Sequence, residues 1–303
     1  MSVSVDAAQQ LATSPSTGVG VGVNTAVFDA NMNASDTPGL LANAGIGAVR
    51  YPGGSHSDVY HWQTGTASGG AYVAPNTGFD AFMGTMRAAG AQPILTANYG
   101  SGTAQEDAAW VQYANITKGY GVKYWEVGNE VYGNGEYTNG NGWEYDTHSS
   151  HSATTYANNL VQYISAMKAV DPTIKIGAVL TTPGFRPDGI VGPGDTQDWN
   201  HTGLSIAGSK IDFAIVHTYP SSTSEADLLS KPQALIPNIS GSVRSLINQY
   251  AGTNAPNVGI AVTEANAAIP QGGNVQFVFQ ATWTSSDADP STFWFNGSTC
   301  ATG

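Results

Sequence analysis

The chain has 303 residues, enough for one large core, and only 11% of them are charged, about half the ~25% usual in soluble domains. Ten Lys and Arg stand against 22 Asp and Glu, giving a net charge of −12 with no basic run or basic-aromatic stripe, so nucleic acid and anionic membrane are poor partners. No apolar stretch is long enough to span a bilayer, and Cys300, the single cysteine, cannot form an internal disulfide.

Short β-rich runs alternate with helical patterns along the chain. Val19–Val23 reads as the first strand, followed by a short helix with Asp36 near its N-cap, Pro38 in its first turn and Gly45 as its stop. Ala48–Tyr51 is the second strand, and a Gly/Ser/Thr-rich loop runs on to about Gly78. Phe79, Phe82, Met83 and Met86 fall at i, i+3, i+4 and i+7 of a helix that Gly90 ends. Gln92–Ala97 is the third strand. Thr103-Ala-Gln-Glu106 then has the form of a capping box opening a helix through Trp110 and Tyr113.

Val122–Val127 is the fourth strand, with a Gly/Asn/Tyr-rich loop from Tyr132 to about Ser150. Tyr156, Leu160, Ile164 and Met167 share one face of a helix that stops at Asp171-Pro172. Ile174–Val179, Ile211–His217 and Val258–Thr263 are strands five to seven. A helical face of Val243, Leu246, Ile247 and Tyr250 precedes the last of them. Seven strands alternating with helices imply an α/β fold with a parallel sheet, and their number favours a (β/α)8 TIM barrel over an open sheet. Phe293-Trp-Phe295 is the candidate for an atypical eighth strand. The whole chain, 1–303, reads as one catalytic domain with an unusual tail at 287–303.

In a parallel barrel the chemistry gathers at the C-terminal ends of the strands. Those ends carry Arg50, Asn98, Asn129-Glu130, His217 with Tyr219, and Glu264. Two carboxylates converging there have the form that glycoside hydrolysis needs: one protonates the departing oxygen, the other attacks the sugar or activates water. Glu126 lies mid-strand, where a structural role inside the barrel is expected. Glu136 and Glu144 are expected to be solvated in their loop, with a role at the cleft rim as the alternative. Among the loop aromatics, Trp62, Tyr99, Tyr132, Trp143, Tyr145 and Trp199 are candidates to stack on sugar rings, whereas Trp125 reads as core. The pairs His56/His61 and His148/His151 have spacings compatible with a metal but no supporting context, and no cofactor or metal is expected.

Several segments carry a resemblance. Arg50-Tyr-Pro-Gly-Gly54 with Tyr60-His-Trp62, Asn98-Tyr-Gly-Ser-Gly-Thr103, Ala109–Asn115, Tyr124-Trp-Glu-Val-Gly-Asn-Glu130, Ala166–Pro172 and Thr263-Glu-Ala-Asn266 resemble the strand segments of α-L-arabinofuranosidases and related endoglucanase-type glycanases. The resemblance covers roughly Arg50 to Asn266 and implies a clan A barrel glycosidase that retains anomeric configuration. It makes Glu130 the acid/base and Glu264 the nucleophile. Asn129 would contact the sugar's 2-hydroxyl, Arg50 would lie beside the nucleophile, and His217 or Tyr219 would orient Glu264 or the sugar.

Burial and a neighbouring carboxylate are expected to keep the acid protonated, and a nearby Arg to keep the nucleophile ionised. The substrate implied is an oligo- or polysaccharide of the plant cell wall, cut either as an α-L-arabinofuranoside or internally as a β-glucan or xylan. Such a protein is expected to be secreted, although Met1–Asp6 has no signal-peptide pattern. The opposing expectation is a non-catalytic carbohydrate-binding or truncated barrel, because the family's eighth strand and C-terminal β-sandwich are not evident.

Overall fold

The computed structural model describes residues 21–184, 187–220 and 225–265, with two short runs at 293–295 and 298–300. Seven parallel strands form one sheet: β1 (Gly22–Asn24), β2 (Ala48–Tyr51), β5 (Gln92–Ala97), β6 (Tyr124–Val127), β7 (Lys175–Val179), β8 (Phe213–Thr218) and β9 (Gly259–Ala265), neighbours in that order. A small antiparallel hairpin, β3 (Tyr60–His61) and β4 (Thr66–Ala67), lies in the loop after β2. Helices α1 (Thr37–Asn43), α2 (Phe79–Ala89), α3 (Ala104–Val111), α4 (Ala153–Val170), α5 (Trp199–Ala207) and α6 (Glu225–Tyr250) fill the connections. Parallel neighbours require such crossovers, which cover the outer face of the sheet.

The sheet curls until its edges meet but do not pair. Asn24 Nδ2 on β1 donates to the Thr263 carbonyl on β9 at 3.1 Å, and Val21, Val23 and Val262 stay exposed along that seam. The expected eighth strand is corrected here. Phe293–Phe295 is β10, but it pairs antiparallel with β11 (Ser298–Cys300) in a separate two-stranded sheet. The first strand lies later than expected, at Gly22–Asn24, while Val19 and Gly20 fall outside the described residues. So do Asn266 and most of the 287–303 tail.

Local chemistry explains the helix ends. Gly90 caps α2 at φ 71, a left-handed position that glycine takes without steric cost. Thr103 accepts from the Glu106 N–H at the start of α3, but the Glu106 carboxylate turns instead to His61 at 2.9 Å, so only half of the capping box forms. Ser152 caps α4 and Asp198 caps α5 through the same kind of bond. The core lies between sheet and helices, with Trp110, Trp125 and Trp199 all but inaccessible. Burying an aliphatic or aromatic side chain of this class contributes about 1.5–3 kcal/mol.

The loop after β2 is pressed onto β1. Gly53 has φ 104, and a Cβ there would lie 1.8 Å from the Thr25 carbonyl oxygen. Only glycine lets the two backbones approach this closely, and that contact places the turn carrying Ser55 and Asp58 beside the barrel mouth.

Candidate active site

Arg50, third of the four residues of β2, is 2% exposed. Its guanidinium is shared three ways: Nε donates to Glu126 Oε2 at 2.6 Å, Nη1 to Glu264 Oε1 at 2.7 Å and Nη2 to Asn129 Oδ1 at 2.9 Å. Glu126 is fully buried within β6 and also accepts from Thr96 Oγ1 at 3.0 Å. It is the structural carboxylate that its mid-strand position implies. Burial pulls the Arg50 pKa down, but the charges of Glu126 and Glu264 and their hydrogen bonds raise it above its ordinary value, so the cation is permanent.

Beyond β6 the chain turns sharply. Gly128 has φ 81, and a Cβ there would meet Val131 Cγ2 at 2.4 Å. Glu130 itself adopts φ 39, ψ 36, a left-handed conformation costing a non-glycine residue roughly 1–3 kcal/mol and concentrated at functional positions. Both oxygens of its carboxylate are held. His217 Nδ1 lies 3.0 Å from Oε1, and Trp143 Nε1 donates to Oε2 at 2.8 Å. His217 Nε2 in turn sits 3.1 Å from Thr263 Oγ1.

Glu264 lies inside β9 rather than just past its end, because the strand runs two residues beyond the expected Thr263. A register shift between Val216 and His217 aligns His217 of β8 with Glu264; irregularities of this kind re-aim side chains. Tyr219 donates its hydroxyl to Glu264 Oε2, and His217 Nδ1 lies 3.7 Å from the same oxygen. One carboxylate oxygen each from Glu130 and Glu264, with a His217 ring nitrogen, lie within 4.8 Å of one another. Burial and the bond to Glu264 push the Tyr219 phenol well above its ordinary pKa, so it stays a donor.

The protonation expected of Glu130 is corrected by these contacts. Burial pushes its carboxyl up, but the hydrogen bond and charge of His217, then Trp143 and Arg50, hold it below the ordinary glutamate value. Its protonated form is therefore lost at lower pH than for a free glutamate. Replacing His217 by Asn removes the largest lowering influence, so the basic limb of kcat/KM assigned to Glu130 should move to higher pH. A pH–rate profile on an aryl glycoside reads this shift directly; a limb that stays put or moves down contradicts it.

Behind Glu130, Asn129 is fixed by two buried acids. Its N–H donates to Asp58 Oδ2 at 3.0 Å, and its Nδ2 donates to Glu144 Oε1 at 2.9 Å. Ser55 Oγ also donates to Glu144 Oε1, at 2.7 Å. Glu144 is thus not solvated as expected but 7% exposed, whereas Glu136 is half-buried and accepts from the His151 N–H. Burial, and then the charge of Asp58, push Glu144 well above its ordinary pKa. Burial likewise raises Asp58 to about 8 against the pull of backbone N–H groups, that of Asn129 foremost.

A raised folded-state pKa means that Glu144 contributes its full stability below the unfolded value of about 4.3 and loses it as pH rises toward the folded value. Glu144→Gln keeps the accepting oxygen and cannot ionise. Denaturation at pH 5 and pH 8 should show its stability relative to wild type improving with pH, while a constant difference refutes the neutral carboxyl.

Two candidates are not brought to the mouth. Asn98 is 2% exposed and ties its own loop, donating to the Tyr60 carbonyl and accepting from the Ser101 and Gly102 N–H groups. Trp62 stacks on Trp110 at 5.9 Å and donates to the Glu106 carbonyl, over α3. Tyr99 and Trp199 are core residues, the latter donating to the Val179 carbonyl from the start of α5. Tyr132 is buried, and Trp143 and Tyr145 are exposed. His148 pairs with Asp146 and His61 with Glu106. Asp58, Ser55 and Thr263 were not singled out in the sequence; nothing local in a Gly/Ser-rich loop marks an acid that folds onto a strand end.

A cavity of 1190 Å³ runs beside the seam from Lys123 and Lys175 at one end to Arg50, Tyr219 and Glu264 at the other. Glu130, His217 and Glu264 could offer donor atoms to a cation. However, each carboxylate oxygen already has a protein partner, and the Arg50 cation at 2.7 Å opposes a second positive charge. The donor set fits a sugar better than a metal.

No family model matches the chain. It is 28% identical over 244 residues to the probable alpha-L-arabinofuranosidase C of Aspergillus clavatus, covering 68% of this chain and 44% of that protein. The solved alpha-L-arabinofuranosidase of Thermotoga maritima, in an arabinose complex, superposes with a TM-score of 0.62 at 26% identity, covering 82% of this chain and 55% of that one. In fold alone the chain also resembles CelM2, a bifunctional glucanase-xylanase from a metagenome library: TM-score 0.53 at 16% identity, over 81% of this chain and 66% of the other. The chain spans less than half the length of the first curated relatives it matches. By sequence and by fold, the chain is similar to α-L-arabinofuranosidases, and its curled parallel sheet with covering helices is a barrel of the kind they carry.

Proposed function

We propose that this chain is a retaining glycoside hydrolase acting on α-L-arabinofuranosyl groups of plant cell-wall polysaccharide, with Glu130 as acid/base and Glu264 as nucleophile. The observation that carries the proposal is the short approach of the two carboxylates, oxygens within 4.8 Å. Double displacement uses carboxyl groups about 5–5.5 Å apart, whereas inversion leaves about 6.5–9.5 Å for a water. The relatives' printed names favour arabinofuranosides over β-glucan or xylan. Secretion belongs to the same proposal, since such polymers lie outside the cell.

In the first step the Glu264 carboxylate attacks the anomeric carbon and Glu130 gives its proton to the departing oxygen, leaving a glycosyl ester on Glu264. In the second, Glu130 takes a proton from water, whose oxygen attacks the same carbon and frees Glu264. Arg50 and Tyr219 both donate to the Glu264 carboxylate and orient it. Asn129, its carbonyl on Arg50 and its amide on Glu144, is fixed beside the sugar site. His217, with Nδ1 3.0 Å from Glu130 Oε1, orients the Glu130 carboxyl group.

Products from arabinan, xylan, β-glucan and aryl glycosides test the reading, with the anomer first released followed by NMR. Free arabinose of retained configuration is the expected result. Oligosaccharides would move the assignment to endo action, inverted product would remove the nucleophile role, and sugar binding without turnover would make the chain a binding module.

A further inference from the structure

A second hydrogen-bonded constellation stands apart from the two glutamates. His61 ends β3 and Ser68 directly follows β4, so one hairpin carries both. His61 Nε2 lies 2.9 Å from Ser68 Oγ, while its Nδ1 lies 2.9 Å from Glu106 Oε1 and 3.2 Å from Oε2. An ionised carboxylate can only accept, so Nδ1 carries the imidazole proton and the Nε2 lone pair faces the serine hydroxyl. A hydroxyl set on a base, whose far nitrogen is held by a third group, is the arrangement that activates a serine. None of the three residues lines the cavity beside the seam.

Local structure fixes the trio. The His61 carbonyl accepts from the Gly65 N–H, and the Ser68 N–H donates to the Val59 carbonyl, both at 2.9 Å. The Glu106 N–H donates to Thr103 Oγ1, and its carbonyl accepts from Trp62 Nε1, whose ring stacks on Trp110 of α3. The hairpin and the first turn of α3 are thereby tied together around the His61–Glu106 pair. The trio is also within reach of solvent, with side-chain exposure of 27% for His61 and 19% for Glu106. Gly69 and Gly70 follow Ser68, exposed and at φ 69 and 76. Among the described residues, a Cβ at Gly70 would meet open space, and one at Gly69 only Tyr145 Cε2 at 3.6 Å. In serine hydrolases the N–H after the nucleophile donates to the developing oxyanion. Gly69 holds that position, with no side chain of its own to cover it.

We infer that Ser68, His61 and Glu106 form a second catalytic site, which hydrolyses carboxylic esters, with an O-acylated sugar as its substrate class. Ser68 Oγ attacks the acyl carbon while its proton passes to His61 Nε2. The tetrahedral adduct collapses, the sugar oxygen leaves with that proton, and the acyl group stays on Ser68. Water then attacks the acyl carbon and gives a proton to His61. The carboxylic acid departs, and the proton returns to Ser68 Oγ. Glu106 touches no reacting atom; it positions the imidazole and stabilises the imidazolium that forms. A site at the surface suits a short acyl group projecting from a large chain. Tyr145, 44% exposed beside Gly69, belongs to the loop whose Trp143 and Glu144 bond Glu130 and Asn129. The choice of a sugar as the alcohol rests on the functional reading above; the ester chemistry does not.

The test treats the whole chain with a fluorophosphonate, locates the label by peptide mass spectrometry, and measures hydrolysis of 4-nitrophenyl acetate and acetate release from acetylated arabinoxylan. Wild type should take the label on Ser68 and cleave both esters. Ser68→Ala should lose the label and lower kcat by about 10³-fold or more, and His61→Gln should lower kcat comparably. Glu106→Gln should lower kcat by about 10²–10⁴-fold with KM unchanged, a split that a mere staple between hairpin and helix would not produce. All three variants should keep the wild-type circular dichroism and the wild-type rate on 4-nitrophenyl α-L-arabinofuranoside. No label and no ester cleavage by wild type, or undiminished cleavage by Ser68→Ala, overturns the second site. Cleavage of the aryl ester without release from the polysaccharide overturns the sugar as its alcohol. Ester cleavage by a wild type that turns over no glycoside overturns the functional reading of Glu130 and Glu264 instead.

Discussion

Replacing Glu264, the proposed nucleophile, by alanine should lower kcat by on the order of 10⁴-fold or more on every substrate, since the covalent intermediate of the proposed double displacement could no longer form. Glu130→Ala should cost about 10²–10⁴-fold on a natural glycoside and much less where the departing group is a good one, because only a poor leaving group needs the proton. The asymmetry distinguishes the roles. It follows from the geometry: Glu264 accepts from the Arg50 guanidinium and the Tyr219 hydroxyl, while Glu130 lies beside the His217 imidazole and accepts from the Trp143 indole N–H. Both carboxylates are only partly exposed, at 16%, and neither is a core-packing side chain. Circular dichroism should therefore show both variants folded. Near-normal turnover in either would remove the assignment, and equal losses on activated and unactivated substrates would remove the division of labour.

Arg50→Met is expected to have the largest effect on stability, a loss of about 3–5 kcal/mol, because deleting one partner leaves a buried charge uncompensated. Glu126 is fully buried, and among the described residues its cationic contact is Arg50. Thr96 Oγ1 can donate to it but cannot neutralise it. The double variant Arg50→Met/Glu126→Gln removes that buried charge and should recover much of the stability, although not activity, since Glu264 still lacks its cation. Urea denaturation at neutral pH measures both. A single-variant loss under about 1 kcal/mol, or no recovery in the double variant, would show that the ion pair is not what holds β2 against β6.

Much of this molecule could be read from residue order. The strands Ala48–Tyr51 and Gln92–Ala97 occur where their β-rich runs place them, and α2 starts at Phe79 and ends before Gly90. These are local signals, set by periodicity and by the conformational freedom of glycine. The segments around Arg50, Asn129-Glu130 and Glu264 also announced which polar groups stand at strand ends. The eighth strand was misread because Phe293–Phe295 has β propensity, whereas its partner is chosen by pairing, and Ser298–Cys300 takes that place. α5 and the burial of Trp199 went unseen because nine residues give a weak helical pattern and the packing partners lie on α4 and β7.

The two glutamates with which the sequence was already concerned remain at the centre. Their identity, and their placement at the ends of parallel strands, were determined by the sequence alone. Tertiary structure decided their distance, their partners and their protonation. His217 lowers Glu130 rather than leaving burial to raise it, because a register shift on β8 carries the imidazole to within 3.0 Å. Glu144 is a buried prop of Asn129 rather than a solvated loop acid, because the loop after Glu130 folds back over the strand end. Such effects depend on contacts between residues 15 to 214 positions apart. Pairwise distance and burial, which set electrostatic energies, are properties of the closed sheet and of no single segment.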